Sequence, residues 1–244
     1  MRVEALSVAL RPRPAAEATD LGVALVRTHA RSVWPAFAPV FVAFVLLACA
    51  TVEIADWLPS LLIFWCKPWL DRSLLFILSR AVFGQSTRFA DLWREGASVW
   101  GRQLLRTLVW QRLSGWRAFT QPIYQLEGLR GKALRQRCRL LLTGQRGMAM
   151  VTQFAFANLE GALALGVWAA VAWFTPQDYR DDVLRWLGSD LQGYWNLLPA
   201  GVYAAIVFFV EPFFVAAGLA MYLNRRVELE AWDIEQEFRH VFAA

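Results

Sequence analysis

Long apolar runs without charge are the feature that most constrains this chain. The first run extends from about Val33 to Val52 and contains no charged side chain. At about 1.5 Å per residue, twenty helical residues cross the roughly 30 Å hydrocarbon core of a bilayer. Two similar runs follow, at about 149–174 and 197–223, and 57% of the chain is hydrophobic. The sequence therefore predicts an all-α, polytopic membrane protein.

A fourth apolar run, from Ile54 to Leu70, is interrupted by Lys67 and Pro68. We expect Lys67 to reach the headgroups, and the Lys-Pro pair to end this span before an amphipathic helix that leaves the membrane. The prediction is then about four transmembrane helices with amphipathic cytoplasmic helices. Its segments are an N-terminal segment (1–32), two spans with an exit helix (33–84), an amphipathic region (85–147), two spans (148–223) and a C-terminal helix (224–244).

The distribution of charge predicts the orientation. Residues 85–147 contain twelve basic and three acidic residues, whereas the loop at 175–196 is acidic. Every Lys and Arg except Arg180 and Arg185 falls on the side shared by both termini and the 85–147 region. Because basic loops stay in the cytoplasm, both termini are predicted to be cytoplasmic, in a bacterial inner membrane.

Arginines alternate with tryptophans in the 85–147 region. In a soluble protein this mixture would suit nucleic acid, but between two spans it favours helices on the membrane surface, with Trp at headgroup depth and Arg on lipid phosphates. We therefore expect membrane lipids as partners, and no nucleic acid. Five basic residues are candidates for lipid or partner contact: Arg130, Lys132, Arg135, Arg137 and Arg139.

Two acidic residues lie near the middle of predicted spans, Glu160 in the third and Glu211 in the fourth. No Lys or Arg of any span is predicted at the same depth, so both carboxyls are expected to be unpaired. They are either a proton or ion site in a transport path, or neutral hydrogen-bonding groups that hold helices together. In the second case they would bond a carbonyl freed by Pro212, with Asn158 as a further partner. Rows of small residues, Ala162-Gly166-Ala170 and Ala216-Ala220, predict close helix packing.

The segment after the fourth span is an acidic amphipathic helix. Either it docks against the basic 130–139 stretch, or it rests as a solvated helix on the inner face.

Enzyme motifs are missing from the sequence. It has no G-x-S-x-G, H-E-x-x-H, P-loop or dinucleotide fingerprint, and only two histidines. The three cysteines lack metal-ligand spacing and are interpreted as small buried thiols. We predict no enzyme, cofactor or metal site.

The segments VEPFFVAAGLAMYLNRRVELEAWDIEQEFR, WCKPWLDRSLLFILSRAVFG and YQLEGLRG resemble a family of uncharacterised bacterial inner-membrane proteins. These proteins are commonly encoded beside MoxR-type AAA+ ATPases and von Willebrand-A-like proteins. The resemblance implies a membrane subunit of a MoxR-linked envelope assembly, and it implies no chemistry. Eight positions match the family's pattern: Glu211, Pro212, Asn224, Arg225, Arg226, Glu230, Trp232 and Asp233.

The sequence supports two hypotheses for the function. The first is a non-catalytic membrane scaffold whose cytoplasmic loop and tail recruit other proteins or a second copy of the chain. The second is a transporter or channel subunit that uses Glu160 and Glu211.

Overall fold

The structure, a computed structural model, describes residues 13–101, 106–179 and 197–230. These residues form helices and no strands, which confirms the predicted all-α class. In chain order the first helices are α1 (Ala15–Thr28), α2 (Ala30–Cys49), α3 (Leu58–Ala81), α4 (Phe89–Arg94) and α5 (Gly96–Trp100). A π-helical turn (Arg106–Gln111) precedes α6 (Arg117–Leu126), α7 (Gly131–Leu142), α8 (Arg146–Phe174) and α9 (Leu197–Glu230).

Helix α9 is the centre of the fold. It is continuous over 34 residues, so it is about 51 Å long and extends seven residues beyond the predicted end of the fourth span. Helices α1, α2, α3, α6, α7 and α8 all contact it. The predicted C-terminal helix is, as far as Glu230, a continuation of α9; residues 231–244 lie outside the described part.

Helix α1 packs along α9, where the sequence predicted no more than an N-terminal segment. A Cβ atom built on Gly22 would lie 2.5 Å from the Ala216 carbonyl oxygen, so the two backbones approach as closely as glycine allows. At the end of this contact the Asn224 side chain makes two 2.9 Å hydrogen bonds with the main chain of Arg13. A small-residue position of α9, Ala216, is therefore a true close-packing site.

Helix α2 confirms a long apolar helix at the first predicted span, although it begins three residues earlier. Aromatic side chains join it to α9: the Phe37 and Phe208 rings stack at 5.9 Å, and Trp34 meets Phe213 edge-on at 5.8 Å. These contacts place α2 against the first half of α9.

Helix α3 shows that the predicted Lys-Pro break is wrong. The helix begins with Pro59 in its first turn and runs through Pro68 to Ala81. Lys67, Asp71 and Arg72 are all buried in it, at 4%, 0% and 6% exposure. Each of these three side chains meets a polar partner from another part of the fold, so the charges are compatible with a continuous buried helix.

Helix α6 contradicts the predicted surface position for its part of the 85–147 region. Its residues from Arg117 to Ile123 are buried, and it packs against α9 and α3. A Cβ atom on Gly218 would overlap the main chain of Ala118, so this crossing also depends on a glycine. Helix α7 is amphipathic as predicted, with Leu134, Cys138, Leu141 and Leu142 buried.

Helix α8 confirms a long apolar helix at the third predicted span, and it lies at the edge of the bundle. A turn with Gly144 at a positive φ of 79° connects it to α7. In α8 only Ala149 and Thr152 are fully buried, and the Ala162-Gly166-Ala170 row faces outward and is exposed. The prediction that this row packs against another helix is therefore wrong within the described chain.

Three helices in the described residues are long and apolar enough to cross a membrane: α2, α8 and α9. Helix α3 has the length but carries the three buried charges. That these three helices cross a bilayer, with α3 as a fourth, remains a prediction.

Candidate functional site

Five ionisable side chains from four helices meet inside the bundle. We call this group the charge cluster; its members are Lys67 and Asp71 of α3, Arg117 of α6, Glu160 of α8 and Glu211 of α9. Four of them are at most 4% exposed as residues, and the Glu160 side chain is 13% exposed. Buried charges at this density require mutual pairing, because an isolated charge in an apolar interior is very unfavourable.

Lys67 joins the two glutamates that the sequence singled out. Its Nζ atom lies 2.6 Å from Glu211 Oε2 and also donates a hydrogen bond to Glu160 Oε1. The prediction that neither carboxyl has a cation at its depth is therefore wrong. The Lys67 side chain points into the bundle. It lies one helical turn before Asp71, so both side chains project from the same face of α3.

Arg117 closes the other side of the cluster. Its Nη2 atom donates to Glu211 Oε1 at 3.0 Å, and its Nε atom lies 3.5 Å from Asp71 Oδ2. The guanidinium also stands over the Phe214 ring, 4.8 Å from the ring centre. Glu211 thus has a cation at each of its two oxygens, and α6 is held to α9 by charge as well as by packing.

The charge balance of the cluster determines its chemistry. Three carboxyls face two cations, so the group is neutral when one carboxyl holds a proton and carries one negative charge when none does. Such a group can stabilise helix contacts in either state. It can also exchange a single proton if water reaches it.

Asn158 does not belong to the cluster. Its Nδ2 atom donates to Phe154 O, 2.8 Å away on its own helix, and the residue is exposed. The expected role of Asn158 as a partner of the midplane carboxyls is therefore wrong. Pro212 is buried next to Glu211 in α9, and the Glu211 carboxyl is occupied by Lys67 and Arg117.

A second set of charges ties α7 to the end of α9. Arg137 Nε donates to Glu127 at 2.9 Å, and its Nη2 atom pairs with Glu230. Burial alone would lower the pKa of the Arg137 guanidinium, but the hydrogen bonds with Glu127 and Glu230 raise it above its ordinary value. The Tyr222 hydroxyl donates to Glu127 Oε1 at 2.9 Å. The expected docking of the acidic tail on the basic stretch is thus present at Glu230.

The remaining motif residues have structural partners. Arg226 pairs with Glu230 at 2.6 Å, while Arg225 pairs with Glu228 at 2.7 Å and donates to Thr143 O at 3.0 Å. These contacts fix the end of α9 against the turn that follows α7. Trp232 and Asp233 lie outside the described residues.

The other basic candidates face outward. Arg130, Lys132, Arg135 and Arg139 are exposed, and none forms an ion pair within the described residues. The structure therefore divides the five basic candidates into one partly buried residue, Arg137, which is ion-paired, and four exposed residues that form no ion pair with the described part of the chain.

Sequence reasoning missed three members of the charge cluster: Lys67, Asp71 and Arg117. The four-residue spacing of Lys67 and Asp71 was a usable signal, since it places opposite charges on one helical face. Arg117 gave no such signal, because a polar helix face has the same periodicity whether it meets water or a buried carboxylate.

In the described residues no group of three His, Cys, Asp or Glu side chains is arranged to hold a metal ion. Comparison of the chain with protein-family models, curated proteins and solved structures finds no match.

Proposed function

We propose that the chain is a non-catalytic scaffold in a bacterial inner membrane, with both termini in the cytoplasm. In this topology α2, α3, α8 and α9 cross the bilayer. Three of them have the required length and apolarity. Support for the fourth is that two of the three buried charges of α3, Lys67 and Asp71, pair with charges of other helices inside the bundle.

The observation that carries the proposal is the contrast between paired and unpaired charge. The cations of the charge cluster and Arg137 pair with carboxylates of the same chain. Lys132, Arg135 and Arg139, in contrast, project from one exposed face of α7 without an acidic partner among the described residues. We call this the basic face. A compact row of unpaired basic residues suits an acidic protein surface, because complementary charge orients and accelerates association.

The family resemblance names a candidate assembly. A MoxR-type ATPase system beside the membrane would supply soluble proteins to meet the basic face, and the chain would anchor them. This partner is a hypothesis that rests on the resemblance alone.

Copurification with charge-reversed variants tests the scaffold. The full-length chain is purified in mild detergent with Lys132→Glu, Arg135→Glu and Arg139→Glu combined, and bound proteins are identified by mass spectrometry. A matched control reverses three exposed arginines elsewhere: Arg27→Glu, Arg31→Glu and Arg94→Glu. We expect the first variant to lose partners that the control keeps.

A chain that purifies alone in every mild condition would contradict the scaffold. Equal losses from both variants would indicate nonspecific charge attraction and would also contradict it. A chain truncated after Glu230 is a further variant for the copurification experiment, because it keeps the ion pairs of Arg137 and Arg226 and removes the rest of the tail.

A second function, proton or ion coupling, is favoured by one observation. Glu160 and Glu211 pair with the same Lys67 Nζ, in a cluster that becomes neutral when one of its three carboxyls binds a proton. Proteoliposomes with an internal pH dye test it. Glu160→Gln should abolish proton flux, and Glu228→Gln, an acidic residue outside the cluster, should leave it unchanged. The same flux from wild type and Glu160→Gln would exclude coupling through the cluster.

A further inference from the structure

Asp71 differs from the other carboxyls of the charge cluster in what surrounds it. It is 0% exposed, and no N–H or O–H group of the described residues donates a hydrogen bond to either of its oxygens. Its ion-pair contact is with Arg117, whose Nε atom lies 3.5 Å from Oδ2, longer than an ordinary N–H···O hydrogen bond. A buried carboxylate with so few donors is unfavourable.

The other two carboxyls are stabilised as anions. Lys67 Nζ lies 2.6 Å from Glu211 Oε2, and Arg117 Nη2 donates to Glu211 Oε1 at 3.0 Å. Glu160 accepts a hydrogen bond from the same Lys67 Nζ. Each glutamate therefore has a cation at hydrogen-bond distance, and Asp71 does not.

The side chains of Asp71 and Glu211 are in hydrogen-bond contact with each other. An ionised carboxylate has no donor, so two carboxyls can form a hydrogen bond only when one of them holds a proton. Two negative charges at this distance in a buried site would repel each other, and one shared proton removes the repulsion. The contact therefore requires a proton, and the surroundings of the two carboxyls decide which one holds it.

We propose that Asp71 and Glu211 form a proton-binding pair, in which the Asp71 carboxyl holds the proton and donates a hydrogen bond to the Glu211 carboxylate. With this proton in place, the positive charges of Lys67 and Arg117 are balanced by Glu160 and Glu211. The five members of the charge cluster are then neutral as a group, and no carboxylate lacks a cation.

One further cation lies close enough to influence the pair. Arg112 follows the π-helical turn, and its guanidinium stands over the Phe64 ring of α3, 3.5 Å from the ring centre. It acts electrostatically on both Asp71 and Glu211. When the proton leaves, the positive charge of Arg112 balances the negative charge that Asp71 gains. The pair can thus release the proton as well as hold it.

The pair identifies the proton as the ion of the proposed coupling function, and this choice of ion rests on that function. Both oxygens of Glu211 already meet Lys67 or Arg117, so a metal cation would have to displace them. A proton needs one oxygen and no shell of ligands. The pair itself does not depend on transport, since a scaffold would keep the same buried proton.

Infrared spectroscopy of the full-length chain in detergent tests the pair, because a protonated carboxyl has a C=O stretch that a carboxylate lacks. We expect this band at neutral pH, and we expect it to move to lower frequency when aspartate is labelled with carbon-13 in its side-chain carboxyl. Asp71→Asn should abolish the band. Asp20→Asn, a matched substitution of an exposed residue of α1, should leave it unchanged.

The stability of Asp71→Asn is a second measurement. Asn has the size of a protonated Asp, and its amide N–H can still donate to Glu211, so we expect the melting temperature of wild type. If Asp71 were ionised and stabilised Arg117, the variant would melt far lower, which would contradict the proposal. The labelled wild type carries no substitution, so the infrared test does not depend on the folding of the variant.

Three infrared outcomes would overturn the proposal: no protonated-carboxyl band in wild type, a band that survives Asp71→Asn, or a band that labelled aspartate does not move. Proton flux in proteoliposomes separates the pair from the coupling function. The expected band without any flux supports the pair and refutes coupling. Flux without the band refutes the pair and leaves coupling in place.

Discussion

Helices α8 and α9 look alike in sequence and differ in almost every contact. Their most apolar windows have mean hydropathies of 1.5 and 2.1, and each helix has one glutamate near its middle. None of the α8 window is buried in the protein, whereas 78% of the α9 window is. Apolarity therefore identifies both as candidate spans but does not tell which one the other helices surround.

The difference arises from complementary residues on partner helices. Helix α9 has small residues at Ala216 and Gly218, and each meets a small residue of another helix, Gly22 or Ala118. Helix α8 has the same kind of row at Ala162, Gly166 and Ala170, but no described helix lies against it. In an apolar solvent, packing drives helix association, so a row of small residues acts only where its counterpart exists.

The largest test of this contrast is to remove the glutamate from each helix in turn. Glu211→Gln removes the carboxylate that both cations share and leaves Arg117 with Asp71 alone at 3.5 Å, so we expect a loss of about 3 kcal/mol in the free energy of unfolding. Glu160→Gln should lose less than half as much, because Lys67 keeps Glu211. Unfolding in detergent, followed by Trp fluorescence, measures both, and equal losses would mean that α8 is as central as α9.

A smaller effect is expected from filling glycine positions. Gly218→Val would overlap the Ala118 main chain and should destabilise the protein by about 1–3 kcal/mol, as overpacking does. Gly166→Val is the matched control, since no atom lies within 4 Å of its Cβ position. The melting temperatures of the two variants give the comparison. A large loss from Gly166→Val would reveal a partner against α8.

The smallest effect concerns the end of α9. Arg137→Gln removes the pairs with Glu127 and Glu230, and because these groups are partly exposed we expect a loss of about 1 kcal/mol. A double-mutant cycle with Glu230→Gln isolates the coupling. Additive effects of the two substitutions would show that the ion pair contributes nothing to stability.

Much of the helix layout could be predicted from the sequence. Most ends of the apolar runs that form α2, α8 and α9 were predicted to within a few residues. An uninterrupted apolar stretch of this length is compatible with few structures other than a helix. The helix up to Glu230 was predicted as a separate C-terminal helix, and its continuity with the fourth span was missed. A span and the helix that continues it have no boundary signal between them when neither Gly nor Pro intervenes.

The charge cluster could be predicted only in part. Glu160 and Glu211 were found because a carboxyl in an apolar run is conspicuous. Lys67 was assigned to the interface because its neighbour Pro68 suggested a helix end, and Arg117 was assigned to the surface because it belongs to a basic region. Both assignments failed for the same physical reason: pairing across helices changes where a charge is most stable, and a single sequence does not show which residues pair.

The length of α9 links events that are far apart. Glu211 and Glu230 stand nineteen residues apart on one unbroken helix, a separation of about 28 Å. One binds Lys67 and Arg117 within the bundle, and the other binds Arg137 of α7. A stiff helix cannot slide or tilt at one end without displacing the other. A change in the number of protons on the buried carboxyls that shifts α9 near Glu211 would thus also displace α7, the helix that presents the basic face.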